Sequence, residues 1–209
     1  MSIKVEIAKG LFDIGAIQIR PNDPFTWTSG IQSPIYCDNR MTMSYPDIRN
    51  RIADAFVEMI EKLDEKPDVI AGCATAGIPH AAWVAQKLNL PMVYVRSSAK
   101  KHGKGNRIEG VIKEGQKVIV IEDLISTGGS SIDAAIGLQK EGAVVIGVLA
   151  IFTYGLEKAN NAFEESNLKM QTITNYDQLM TELVKSSSLT EADHEKMITW
   201  RNELGKISQ

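Results

Sequence analysis

The sequence predicts an α/β fold: a doubly wound, mostly parallel sheet with helices on both faces, plus a small N-terminal hood. Three observations predict it. Short continuous runs of aliphatic and β-branched residues, such as Val69-Ile-Ala-Gly72, Val118-Ile-Val-Ile121 and Val144–Phe152, are typical of strands buried on both faces. These runs alternate with segments of helical spacing, the pattern that builds a parallel sheet. The N-terminal 43 residues depart from that alternation, with short strand-like pieces broken by Pro21, Pro24, Gly30 and Pro34.

Element by element, Ile7, Leu11 and Ile14 fall at helical spacing, so the first element is a helix. Short strands are expected at 17–19, 25–27 and 35–37. A long helix is predicted from about Ser44 to Lys62, with Ser44 and Asp47 as a capping box and Pro46 in the first turn. Its buried stripe is Ile48, Ile52, Ala55, Phe56, Met59 and Ile60. After Pro67 come a strand at 69–72, a helix at 78–88 and a strand at 92–95. Strands at 108–112 and 118–121 flank a turn at 113–116, followed by a helix at 130–140 and a strand at 144–152. The C-terminal third is expected to be helical, one helix starting at Thr174 with Asp177 and another at Thr190 with Asp193. With no repeat or linker, residues 1–209 read as a single domain, of which 1–43 contribute the hood.

Composition narrows the function classes. The chain has 209 residues, 44% hydrophobic, with 23 Lys+Arg against 26 Asp+Glu and a net charge of −3. Such a chain can bury a core and is neither collagen-like nor disordered. Its slight acidity argues against non-specific nucleic-acid binding, which needs surplus cations. Cys37 and Cys73 have no paired spacing, so neither a zinc ribbon nor a disulfide framework is indicated. Glu6, Lys9 and Asp13 interrupt the N-terminus where a signal peptide needs an apolar core, and the longest apolar run, 142–152, is far short of the ~20 residues that cross a bilayer. A cytoplasmic protein is the expectation.

Ligands of doubly wound sheets bind beyond the carboxyl ends of the strands. There, after Val118–Ile121, stands Glu122-Asp123-Leu124-Ile125-Ser126-Thr127-Gly128-Gly129-Ser130-Ser131, opening a helix. Gly128 and Gly129 let the backbone approach an anion while helix N-terminal N–H groups point outward. Ser126, Thr127, Ser130 and Ser131 add hydroxyl donors. The acids repel phosphate but suit sugar hydroxyls, or a divalent cation bridging them to a second phosphate. Phosphate at one end and a diol at the other describe a ribose 5-phosphate. A triphosphate P-loop is excluded, because no Lys-Ser/Thr follows a glycine loop; Gly103-x-Gly105 lacks the third glycine of a dinucleotide fingerprint.

Residues 118–131 resemble the 5-phosphoribosyl 1-diphosphate (PRPP) motif of the type I phosphoribosyltransferases. Three further stretches resemble the orotate phosphoribosyltransferases of Gram-positive bacterial type: Phe25-Thr-Trp-Thr-Ser-Gly-Ile-Gln-Ser-Pro-Ile-Tyr-Cys-Asp-Asn-Arg40, Ala71-Gly-Cys-Ala-Thr-Ala-Gly-Ile-Pro79, and Arg96-Ser-Ser-Ala-Lys-Lys-His-Gly-Lys-Gly105. The resemblance covers most of the chain. It implies the type I phosphoribosyltransferase fold and transfer of a phosphoribosyl group from PRPP to orotate with Mg2+, in a homodimer. It implies that Arg96, Lys100 and His102 bind the diphosphate, reaching from the 96–110 loop into the neighbouring subunit, with Lys100 as electrostatic catalyst. It further implies that Glu122, Asp123, Leu124, Ile125, Ser126, Thr127, Gly128, Gly129 and Ser130 bind PRPP, that Ser126 and Arg40 hold orotate, and that Mg2+ is held mainly by PRPP itself.

The pattern has departures. Thr28, Ala76 and Ser97 stand where enterobacterial relatives are expected to carry lysines, and Tyr154 stands near an expected arginine. No role is carried onto these four. His80 and His194 lack metal-ligand spacing and read as structural; Trp27, Trp83 and Trp200 read as packing residues. Other readings remain open at this point: a phosphoribosyltransferase for another base, a PRPP-sensing regulator that binds nucleic acid, and a non-catalytic sugar-phosphate module.

Overall fold

The elements that hold residues 122–131 in place are set by two opposite hydrophobic faces on one sheet. The computed structural model describes residues 2–26, 32–97 and 107–207. Helix α1 (Ile3–Asp13) is followed by strands β1 (Ile17–Ile19), β2 (Phe25–Thr26), β3 (Gln32–Ser33) and β4 (Ile35–Cys37), a 3-10 helix (Asn39–Ser44) and helix α2 (Pro46–Glu61). Then come β5 (Val69–Cys73), α3 (Gly77–Leu88), β6 (Met92–Val95), β7 (Ile108–Glu109), β8 (Lys117–Ile125), α4 (Gly129–Lys140) and β9 (Val144–Thr153). The chain closes with α5 (Glu157–Glu165), β10 (Met170–Asn175), α6 (Tyr176–Lys185) and α7 (Glu191–Ile207).

The main sheet has the order β10-β9-β8-β5-β6-β7, parallel throughout except for the edge strand β7. Chain direction reverses its march at one place: β5 leads outward to β6, whereas β8 returns to the other side of β5 and leads to β9 and β10. The crevice between the carboxyl ends of β5 and β8 is therefore the topological switch point, where such sheets bind ligands.

Strand β8 shows why it cannot slip. Ile119 and Ile121 pack on the side of α1, α2 and α3, while Val118 and Val120 pack on the side of α4 and α5. All four are fully buried, and each contributes about 1.5–3 kcal/mol by burial. Their sum rivals the ~5–15 kcal/mol net stability of a whole domain. The acids that follow them are thus placed by the core.

Several sequence expectations are corrected in detail. Ser44 does not cap α2: it ends the 3-10 helix, and Tyr45 is the N-cap, with no side-chain bond. The cause is Pro46, which restricts the preceding residue to extended backbone (Tyr45 φ −119°, ψ 91°). Met59 is half-buried rather than part of the fully buried stripe. The strand expected at 108–112 stops at Glu109, because Gly110 turns the chain at φ +105° against β6. The C-terminal third is not wholly helical, for β10 is a parallel edge strand. Thr174 lies inside it, and Asn175 caps α6 instead, its Oδ1 accepting from the Gln178 N–H at 2.9 Å. Thr190 does cap α7, accepting from the Asp193 N–H at 3.1 Å.

In the N-terminal piece, α1 buries Ile7, Ala8 and Leu11 in the main core. Strands β1 and β4 pair antiparallel, as do β2 and β3. Trp200 of α7 donates from Nε1 to the Gln32 carbonyl at 3.0 Å, and Lys196 donates to Asn22 Oδ1 at 2.6 Å, which fastens this piece to the body. Among the described residues no helix is long and apolar enough to cross a membrane.

Candidate active site

Three elements converge at the switch point around a cleft of about 350 Å³. The turn after β5 brings Ala74, Thr75 and Ala76; the end of β8 brings Glu122, Asp123 and Leu124, with Ser130 of α4; the end of β4 brings Cys37 and the segment after it Asp38 and Arg40. A larger hollow of about 740 Å³, lined by Lys62, Glu65, Val144 and Lys169 among others, lies at the opposite ends of β9 and β10. Size does not decide between them. Only the smaller one meets the strand carboxyl ends and a helix N-terminus.

Glu122 and Asp123 are strand residues, since β8 continues to Ile125. Glu122 is 5% exposed. Its Oε1 accepts from the Asp123 N–H at 3.0 Å, and its Oε2 from the Ser130 hydroxyl at 3.1 Å. Burial, and then the neighbouring Asp123 charge, push its carboxyl well above the usual carboxylate range. Burial raises Asp123 as well. Two adjacent acids, one buried and one half-buried, resist carrying two charges together, so the pair favours hydroxyl donors or a cation.

The turn that follows is divided between packing and an open surface. Gly128 is the N-cap of α4 at φ +84°, and a Cβ there would come 2.8 Å from the Phe163 ring. Among the described residues, Gly129 has nothing within 4 Å of where its Cβ would stand, so the first turn of α4 is open to a ligand. Thr127 is exposed and Ser126 half-buried beside it. Ser131, expected as a further hydroxyl donor, is instead 1% exposed and donates to the Gly128 carbonyl at 3.1 Å. It braces the turn from beneath. The Ile125 side chain is buried in the core, and its carbonyl accepts from Thr153 Oγ1 at 2.9 Å. Leu124 is half-buried and lines the cleft.

In the stretch Ala71–Pro79, the glycines and the alanines have different tasks. A Cβ at Gly77 would lie 2.3 Å from the Ile121 carbonyl oxygen, and one at Gly72 would lie 2.9 Å from the Ile78 Cα. Both glycines are there for close packing of α3 on the sheet. Ala74 and Ala76 face the cleft, across a cis Ala74–Thr75 peptide.

Arg40 forms a two-pronged pair with Asp38, from Nε at 2.6 Å and from Nη2 at 2.8 Å, and holds that carboxyl below its usual range. Arg96 lies at the neck of the basic segment. Its N–H donates to the Arg107 carbonyl at 2.8 Å, and its guanidinium sits 3.5 Å from Glu109. Arg107 returns a bond from Nε to the Arg96 carbonyl at 2.9 Å and grips Asp133 of α4 with both Nη atoms. Lys100 and His102 lie outside the described residues, as does Thr28. Ser97 is described, next to that neck.

Sequence reasoning missed Asn39. It is wholly buried, and its Nδ2 donates to the Asp123 carbonyl at 2.7 Å. No local pattern marks a buried asparagine beside two surface-like charges. His80 is structural, as expected: fully buried on α3, edge-on to Trp83 at 5.3 Å, its Nε2 3.5 Å from Thr42 Oγ1. Burial lowers its pKa to about 4. Tyr154 is buried in the core cluster and not exposed to the cleft.

Comparison with known proteins agrees with this geometry. The phosphoribosyl transferase domain family matches residues 44–178, the span from the end of the 3-10 helix into α6. An orotate phosphoribosyltransferase of Oceanobacillus iheyensis is 57% identical over 199 residues, 95% of this chain and 98% of that protein. The crystal structure of orotate phosphoribosyltransferase from Aeropyrum pernix superposes with a TM-score of 0.75 at 26% identity, covering 85% of this chain and 97% of that one. UMP synthase of Leishmania donovani superposes with a TM-score of 0.81 at 28% identity over 96% of this chain, which spans only 42% of that longer protein. With its sheet order, its acid-and-glycine strand end and this degree of identity, the chain belongs to the phosphoribosyl transferase family and, within it, to the orotate phosphoribosyltransferases.

Proposed function

We propose that this chain transfers the 5-phosphoribosyl group of PRPP to orotate, giving orotidine 5′-monophosphate and diphosphate in pyrimidine (UMP) biosynthesis. One observation carries the reading: the acid pair Glu122–Asp123 runs straight into the open glycine turn of α4 at the switch point, with Arg40 lining the same cleft. Thr127, Gly128, Gly129 and Ser126 take the 5-phosphate, which the α4 N-terminus attracts by its free N–H groups and dipole. Glu122 and Asp123 accept the ribose hydroxyls. Ser126 and Arg40 hold orotate, Arg40 by releasing part of its pairing with Asp38 to the orotate carboxylate.

In the reaction the C1–O bond to diphosphate breaks, and a ring nitrogen of orotate forms the new C1–N bond from the opposite face, giving up its N–H proton, which leaves with the diphosphate. Negative charge gathers on the leaving diphosphate and positive charge on the ribosyl ring. Arg96, Lys100 and His102 stabilise the former, and His102 hydrogen-bonds the departing oxygen. In this reading the 96–110 segment also keeps water from the ribosyl cation. The acid pair fits a cation, so Mg2+ held mainly by PRPP oxygens would face Glu122 and Asp123 and offset diphosphate charge when bound. In this reading residues 1–43 supply the hood over the base, the enzyme is a cytoplasmic homodimer, and the basic segment completes the neighbouring subunit's site.

The test follows orotate absorbance with PRPP and Mg2+, against controls lacking each, and with a panel of other bases. Loss of absorbance only in the complete mixture, and only with orotate, is the expected result; diphosphate release with another base alone would overturn the substrate. Lys100→Ala should fold and lose at least about a hundredfold in turnover. Activity regained on mixing it with an Asp123→Asn variant is expected of shared sites, and wild-type turnover by Lys100→Ala would remove the segment from the mechanism.

A further inference from the structure

A line of buried polar groups leads from the core of the sheet to the acid pair, and nothing in the proposed chemistry uses it. His80 of α3 meets Thr42 Oγ1 through Nε2 at 3.5 Å. Thr42 Oγ1 donates to the Asn39 carbonyl at 2.6 Å, and Asn39 Nδ2 donates to the Asp123 carbonyl at 2.7 Å. His80, Thr42 and Asn39 are all fully buried. Because Thr42 gives its only proton to Asn39, His80 Nε2 must carry the proton that it offers to Thr42. The amide orientation of Asn39 is equally determined, since its Oδ1 faces the Cys37 thiol at 3.4 Å and its Nδ2 faces a carbonyl that only a donor satisfies.

The placement of this line is specific. Pairing of β5 with β8 ends at Gly72–Ile121, so beyond Ile121 strand β8 no longer has β5 beside it. Asn39 reaches across 84 residues of sequence to the carbonyl of the second acid. Its two chain neighbours are Asp38 and Arg40, which line the same cleft as Asp123. One buried amide thus ties the wall that carries Arg40 to the strand end that carries Asp123.

We propose that Asn39 is a positioning residue that fixes the distance between the base wall of the cleft and its ribose wall. This rests on the reading that Arg40 faces orotate and Asp123 faces the ribose. Losing the amide frees the 3-10 helix to drift relative to β8, while the 5-phosphate turn of α4 keeps its own support from Ser131 and Gly128. Base binding should therefore suffer more than PRPP binding, and misplacement of reacting groups by about 1 Å costs on the order of a hundredfold in rate.

The experiment compares Asn39→Ala and Asn39→Asp with Arg40→Ala and the Asn39→Ala/Arg40→Ala pair, by steady-state kinetics in each substrate and by thermal melting. Asn39→Asp keeps the shape but turns an acceptor toward the Asp123 carbonyl. We expect both Asn39 variants to raise the orotate KM or lower kcat by about ten- to a hundredfold, with the PRPP KM within about threefold of wild type. The double variant should be no worse than Arg40→Ala. If Asn39→Ala does not fold, Thr42→Val, which removes only the next hydroxyl, should show the same base-selective loss in smaller degree. Wild-type kinetics in a folded Asn39 or Thr42 variant, equal losses for both substrates, or full additivity with Arg40→Ala would each overturn the proposal. A wild-type orotate KM in Arg40→Ala alone sinks the Arg40 assignment, leaving the base-selective loss at Asn39 to stand or fall separately. A wild-type chain inert toward orotate sinks the proposed reaction and this role with it.

Discussion

Replacing Gly77 by alanine sets two physical effects against each other. Gly77 opens α3 with ordinary helical backbone, and there alanine is favoured over glycine by up to about 1 kcal/mol. Its added Cβ would however stand 2.3 Å from the Ile121 carbonyl oxygen and 3.3 Å from the Glu122 Cα. Both obstacles are backbone of the central strand, held on its two faces by buried Val and Ile, so the neighbour cannot swing aside as a side-chain tip would. Overpacking against such a wall costs about 3 kcal/mol, the upper end of the usual range. Sterics wins, leaving a net loss of about 2 kcal/mol, or roughly 4–8 °C in Tm for a domain of this size. Calorimetric melting of Gly77→Ala beside Gly129→Ala is the assay. Gly129 also lies in the first turn of its helix, with no described residue within 4 Å of its Cβ position, so Gly129→Ala should melt at or slightly above wild type yet bind PRPP more weakly. A Gly77→Ala protein as stable as wild type would refute the close-packing argument, and unchanged PRPP affinity in Gly129→Ala would refute the open-turn argument.

Two further outcomes concern protons. His80 has a folded pKa of about 4 against an ordinary 6.5, so the unfolded chain binds the proton first as pH falls. Stability is therefore whole above pH 6.5 and is lost toward pH 4, by at most roughly 3 kcal/mol; His80→Gln should flatten that part of the pH–stability curve in urea melts, and an unchanged slope would count against it. Glu122 is shifted the other way, upward by burial and by Asp123, so accepting ribose hydroxyls or facing a cation near neutral pH should expel a proton. Calorimetric titration with PRPP and Mg2+ in buffers of different ionisation heat should show proton release that Glu122→Gln lacks, and equal release by both proteins would contradict it.

What could be read from the sequence was whatever the core or a glycine turn enforces locally. The strands at Val69, Val118 and Val144 were legible because burial on both faces demands unbroken aliphatic runs. The strand at Met170–Asn175 was not, since an edge strand buries chiefly one face and its Thr and Gln residues carry no such pattern. Of the site, Glu122 to Ser130 stood out because a strand end, two acids and a glycine turn lie together in the chain. Ser131 could not be told from Ser130 by type, for only the turn of α4 decides which hydroxyl faces outward. Asn39 was hidden for a related reason: its partner is 84 residues away, and polarity alone suggests the surface.

The same placement makes an electrostatic demand that the described wall of the cleft does not meet. Glu122, Asp123 and Asp38 line it with acid, and the one cation among its lining residues, Arg40, is gripped at both prongs by Asp38. A diphosphate entering such a cleft meets net repulsion, and the α4 N-terminus, with its partial positive charge of about one half, is too weak to reverse it. Compensating charge has to arrive with the ligand as a divalent ion, or from the segment 98–106, whose sequence holds Lys100, Lys101, His102 and Lys104. The clamp of Arg107 on Asp133 and on the Arg96 carbonyl sets the neck of that segment beside α4. Acid is thus built into the rigid sheet and base into the chain beyond that neck. An arrangement of this kind offers a sugar's hydroxyls fixed acceptors at the strand end and leaves diphosphate charge to cations from elsewhere. In the proposed transfer those cations count most where the leaving diphosphate carries most charge, which is what lowering the barrier to its departure requires.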